Sequence, residues 1–149
     1  MKRHDFYQRV AHALAGCQLV EQELKLYISE AFELVQKFVG NRLAFTMSGE
    51  DYEDTPLGRL IDVFRKLSDN AQLVSDLRKF KAERDFLSHK GITHCLDRDG
   101  ELDRMAVADF EIRLKKIQPE ADRLCTAIHE EANRFRGHLW FEEIESPEV

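Results

Sequence analysis

Cysteine, proline, glycine and tryptophan are all scarce in this chain of 149 residues, which carries three Cys, three Pro, seven Gly and one Trp. Cys17, Cys95 and Cys125 lie far apart and form no Cys-x-x-Cys pair, which argues against a structural zinc site. Odd, scattered cysteines fit a reducing compartment. With so little Pro and a hydrophobic content of 43%, the chain is not a disordered one. No run approaches the roughly 18 apolar residues that a membrane span needs. The segment Met1-Lys2-Arg3-His4-Asp5 passes straight into polar helix without an apolar signal stretch, so a cytoplasmic location is expected. There is no Gly-rich phosphate loop, since Ser48-Gly49-Glu50 is not one, and no Gly-x-Ser-x-Gly elbow. Positive charge is also in deficit: 22 Lys and Arg face 28 Asp and Glu, a net charge of −6. Broad, non-specific nucleic-acid binding relies on the opposite balance. A local basic patch remains at Arg78, Lys79, Lys81, Arg84 and Lys90.

What the sequence does contain is helical periodicity. Apolar residues recur at three- and four-residue steps from Phe6 through Val10, Leu14, Cys17, Leu24, Ile28, Ala31, Val35 and Phe38. Asp5 reads as the N-cap of this first helix and Gly40-Asn41 as its stop. After a polar loop over 41–55, Thr55 and Pro56 start a second helix with the stripe Leu57, Leu60, Ile61, Phe64 and Leu67. Ser68-Asp69-Asn70 separates it from a third, carrying Leu73, Leu77, Phe80 and Leu87 and ending near Lys90-Gly91. Residues 92–104 read as a short irregular or hairpin segment, with a turn at Asp97-Arg98-Asp99-Gly100. Asp109 then caps a last long helix to about His138, with apolar Phe110, Leu114, Ile117, Leu124, Ile128 and Phe135, in which Pro119 introduces a kink or a break. The expected architecture is all-α, a four- to five-helix up-and-down bundle forming a single domain over 1–141, followed by an acidic flexible tail over 142–149. Cys17 and Cys125 fall within helices as small core residues.

The chemistry concentrates in Arg84-Asp85-Phe86-Leu87-Ser88-His89. Asp85 and His89 are four residues apart and share one face of an ideal helix. A carboxylate beside an imidazole sets its tautomer. A guanidinium offers a planar fork of donors that suits a phosphate oxygen. Together these are the parts needed to move a ribose 2′-hydroxyl onto an adjacent phosphodiester. The same residues also make an ordinary helix end, because cations there complement the helix dipole.

The Arg, polar residue, short spacer and His of R-D-F-L-S-H resemble the hallmark of the HEPN superfamily of small helical proteins. The run Thr55-Pro56-Leu57-Gly58-Arg59-Leu60-Ile61 and its spacing to Arg84 are similar to the second and third helices of such proteins. The resemblance implies a metal-independent endoribonuclease of toxin or defence type, needing no cofactor. In that picture His89 is general base or acid, Arg84 stabilises the phosphorane-like transition state and Asp85 orients one of them. Ser88 and Lys90 bind substrate. The resemblance further implies a homodimer, an RNA substrate and a cognate antitoxin or other protein partner, with no membrane association. The alternative it leaves open is a non-catalytic HEPN-like dimeric module with a regulatory or partner-binding role. Many toxin members carry Tyr two residues after the His, the target of a partner nucleotidyltransferase; this chain has Gly91 there.

Two further groupings look like metal ligands but lack the spacing. His94, Cys95 and Asp97 have no fourth ligand nearby, and His129-Glu130-Glu131 does not form the Glu-x-x-His pairs of helical di-iron sites.

Overall fold

The computed structural model describes residues 3–143, and the chain is an all-α helical bundle. α1 spans Arg3–Val39, α2 Leu57–Leu67, α3 Ala71–Phe86, the short α4 Ile92–His94, and α5 Arg104–Trp140. A 3-10 turn covers Gly49–Tyr52 and a π-helical turn covers Leu87–Gly91. Among the described residues no strand forms, and no helix is long and apolar enough to cross a membrane. The last six residues of the expected acidic tail lie outside the described residues.

The core is built by the expected stripes. Phe6, Val10, Cys17, Leu24 and Ile28 of α1 pack with Leu57, Leu60, Ile61 and Phe64 of α2. Leu73, Leu77 and Phe80 of α3 and Phe110, Leu114, Ile117, Leu124 and Ile128 of α5 complete it. Phe38, read as part of the α1 stripe, is instead exposed, and Phe32 is the buried aromatic of that end. Tyr52 and Phe45 from the 41–55 loop stack on Phe32, which closes the core there.

Several boundaries differ from the sequence reading. α1 is already helical at Arg3, so Asp5 sits in the first turn, where its carboxylate still favours the helix dipole. Pro56, not Thr55, is the residue before α2, and its carbonyl accepts from the amides of Arg59 and Leu60. Asn70 caps α3 as expected, its side chain accepting from the Leu73 amide at 3.0 Å. Lys90-Gly91 does not terminate the third helix, because the chain stays helical to His94. The expected hairpin reduces to one bridge, Leu96 to Leu102. The cap of the last helix is Asp103 rather than Asp109, its side chain accepting from the Met105 amide at 3.2 Å. That early start buries Val107 as an extra core residue. Pro119 lies inside α5, which runs unbroken through it.

Interhelical pairs give the directions. Asp62 with Arg78 makes α2 and α3 antiparallel neighbours, joined by the short Ser68–Asn70 link. Asn70 with Glu131, Asp76 with Arg123 and Glu83 with Arg113 run α5 back along α3. The up-and-down alternation therefore holds from α2 to α5. α1 shares the direction of α5, as the pairs Arg9 with Glu111, Glu30 with Arg136 and Lys37 with the His138 carbonyl require. The long Gly40–Pro56 connection makes this possible by returning along α1, with Gly49 pressed on Ser29 and Tyr52 on Phe32. The Glu30–Arg136 pair is buried, with two hydrogen bonds of 2.7 and 2.9 Å, and Arg136 also donates to Asn133.

Candidate functional site

The Arg84–His89 segment crosses a change of helical winding. Arg84 and Asp85 lie in the last turn of α3, whereas Ser88, His89 and Lys90 lie on the π-helical turn. Such turns are rare, cost hydrogen-bond quality, and are found frequently at functional sites. Here two buried residues fix it. Leu87 enters the core, and Gly91 lies so close to α5 that a Cβ there would stand 2.5 Å from Phe110 Cζ. Phe86 is wedged on the same side, its ring 5.8 Å from Phe110 and capped by the Arg113 guanidinium at 3.6 Å. Arg113 is held over that ring by paired hydrogen bonds to Glu83 of 3.0 and 2.9 Å. With Leu87 and Gly91 turned inward, Ser88, His89 and Lys90 are left exposed. Position 91 has no room for a larger side chain, since the space is filled by Phe110.

Arg84 belongs to a line of four charges. Its Nη2 donates to Glu21 Oε1 of α1 and its Nη1 to Asp85 Oδ1, both at 3.3 Å. The other Asp85 oxygen accepts from Lys81 Nζ at 2.5 Å. The stem of Lys81 lies against Gly58 of α2, where a Cβ would approach Lys81 Cε to 2.6 Å, so glycine at 58 makes room for it. Two carboxylates thus alternate with two cations across α1 and α3. The hydrogen bond from Lys81, with the nearby Arg84, holds the Asp85 carboxyl below its ordinary range. Cys17 sits behind Arg84 and Glu21, and burial pushes its thiol up to about 11, which makes it a poor nucleophile.

Arg84 and Asp85 are therefore brought together, and both are tied into the bundle. His89 is near them in the chain but makes no hydrogen bond to either among the described residues. Sequence reasoning missed Glu21 and Gly58. Lys81 stood four residues before Asp85 and was readable as its partner. Glu21 is 63 positions from Arg84, and nothing in the local pattern marks it. The two rejected groupings have structural roles. Cys95 is buried, with its thiol toward the Ala106 carbonyl at 3.7 Å. Asp97 Oδ1 accepts from the Asp99 and Glu101 amides in the turn. His129 bonds Arg136. A groove between α1 and α5, lined by Arg9, His12, Gly16 and Leu19, contains none of the Arg84–Lys90 residues.

No protein-family model, curated protein or solved structure matches this chain.

Proposed function

We propose that the chain is a HEPN-like, metal-independent endoribonuclease of toxin or defence type, acting as a homodimer. The observation that carries this reading is the placement of the motif: Arg84 and Asp85 are fixed on rigid helix, and His89 stands exposed one turn later on a π-helical turn. In the proposed reaction the substrate's own 2′-oxygen attacks the adjacent phosphorus while a base takes its proton. The bond from phosphorus to the 5′-oxygen breaks as an acid protonates that oxygen. The products are a 2′,3′-cyclic phosphate and a 5′-hydroxyl. His89 serves as one proton-transfer group and the partner subunit supplies the other. Arg84 offsets the charge that builds on the phosphoryl oxygens, Asp85 orients Arg84, and Ser88 and Lys90 contact the substrate.

A second reading is favoured by a specific observation. Arg84 already has both terminal nitrogens on carboxylates. A HEPN-like dimeric module without catalysis, regulatory or partner-binding, would use the cluster as a brace between α1 and α3. RNA cleavage in EDTA, with and without His89→Ala, separates the two. Cleavage by the wild type that the variant loses supports the nuclease; equal cleavage or none from either sinks it.

A further inference from the structure

Glu21 and Lys81 are the members of the charge line that the nuclease reading leaves without a task, and of the two only Glu21 occupies Arg84. It lies on α1, its side chain is only 16% exposed, and Arg84 is its sole cationic partner within 4.0 Å among the described residues. A phosphodiester is gripped most firmly when two N–H groups of one guanidinium meet two of its oxygens. Both terminal nitrogens of Arg84 already hold a carboxylate, Nη1 on Asp85 and Nη2 on Glu21, although each keeps a second N–H. A phosphate that takes the edge between them competes with Glu21 for one of its two prongs.

We infer that Glu21 is an internal stand-in for the substrate phosphate, occupying one prong of Arg84 in the resting protein and yielding it when RNA binds. Three features pick Glu21 rather than Asp85 as the group that yields. Asp85 is anchored twice, by Arg84 and by the shorter contact from Lys81. Glu21 is held by a single hydrogen bond of 3.3 Å, long for a charge-assisted one, which typically spans about 2.7–2.9 Å. Glu21 also reaches Arg84 from a different helix, so its rotation away leaves α3 undisturbed. The exchange keeps the guanidinium paired with an anion throughout, and the displaced Glu21 carboxylate must rotate toward solvent to be rehydrated. Free protein therefore pays for RNA binding by breaking this pair, and the resting site is electrically neutral toward stray anions.

The inference rests on the ribonuclease reading for the identity of the ligand, and its test is binding rather than cleavage. The probe is a fluorescein-labelled RNA of about 20 nucleotides, 2′-O-methylated throughout so that no attacking hydroxyl exists. Glu21→Gln keeps the side-chain shape and removes the charge. By anisotropy it is expected to bind the probe about tenfold more tightly than wild type, the effect of one charge-assisted contact that no longer has to be broken. The gain is expected to vanish in Glu21→Gln with Arg84→Ala. It is also expected to be absent from Glu130→Gln, which changes net charge equally at an exposed position of α5. Equal affinity of wild type and Glu21→Gln overturns the inference, and so does a gain that survives loss of Arg84. If Glu21→Gln does not fold, Glu21→Asp decides, because it keeps the charge but withdraws the carboxylate by one methylene. A gain of about threefold is then expected and none overturns the inference. Cleavage of the unmodified RNA is followed in parallel. Its absence in every protein removes the ribonuclease reading, while the binding series still decides whether Glu21 competes with phosphate for Arg84.

Discussion

At the scale of single residues, the proposed reaction divides the motif into groups that would do chemistry and groups that hold them. His89→Ala and Arg84→Ala are expected to reduce RNA cleavage by about 10²- to 10⁴-fold, the usual range for a lost acid–base group or a lost charge stabiliser. His89 is exposed and makes no structural hydrogen bond, so its variant should keep the wild-type melting temperature. Arg84 links two helices, so its variant should melt slightly earlier. Single-turnover assays and thermal melts read both effects; a His89 variant that fails to fold would favour a purely structural role for this helix end. Asp85→Asn is expected to harm cleavage less than either. Its effect on stability has a definite sign with pH. The carboxyl is held below its ordinary value of 3.8, chiefly by Lys81, so it contributes stability above that value. That contribution is lost as pH falls through the depressed value. Because the pair is about one-third exposed, the cost of Asp85→Asn at pH 7 should stay under about 1 kcal/mol. Urea unfolding of the two proteins at pH 7 and at about pH 3 should show a gap that closes in acid.

At the scale of elements, the π-helical turn is the feature that aims the site, and it depends on glycine. Gly91→Ala would place a methyl 2.5 Å from the Phe110 ring, backed by the buried core. Overpacking of this kind costs about 1–3 kcal/mol. Phe110→Leu shortens the opposing side chain and should recover part of that loss, so the double-mutant cycle should show coupling well beyond additivity. Additive losses would mean that Phe110 is not what holds Gly91 in place. The same turn shows where the sequence was legible and where it was not. The stripes of α2, α3 and α5 were readable because their 3.6-residue period is set by burial alone, and Leu60, Phe64, Leu77 and Leu124 are all in the core. Gly91 misled because an isolated glycine near Lys reads as a helix stop. Its geometry here is instead helical, and the space where a Cβ would stand is filled by Phe110 of α5. Asp109 misled in the same way: Asp103 is an equally good cap, and only the burial of Val107 distinguishes them. Arg84, Asp85 and His89 could be picked from sequence, but the partner that occupies Arg84 could not, since Glu21 meets it only through tertiary packing.

At the scale of the whole molecule, the question is where a chain with one motif histidine finds a second proton-transfer group. Under the proposed ribonuclease reading, one motif His per chain would serve half of an acid–base reaction, and a two-fold axis beside it would supply the other half. The helix that packs on the motif offers a surface for that axis. Met105 and Ile112 of α5 are 79% and 58% exposed, and seven residues apart they share one face of the helix. Between them in sequence is Phe110, the residue that seats Gly91. An apolar pair left in water on α5 is a surface that an isologous contact would cover, and in the proposed dimer Lys90 of both subunits would face one cleft. That doubling gives a protein of net charge −6 a local place to hold RNA. We therefore expect a homodimer at micromolar concentration by light scattering. Met105→Glu with Ile112→Glu, both exposed and outside the core, should yield a folded monomer by placing four like charges across the axis. If the proposed chemistry is shared between subunits, the monomer should lose cleavage by at least about 10²-fold. Mixing His89→Ala with Arg84→Ala subunits should then recover part of the activity, as each site draws on both chains. A wild-type monomer, or a charged monomer that cleaves as well as the parent, would remove the shared site.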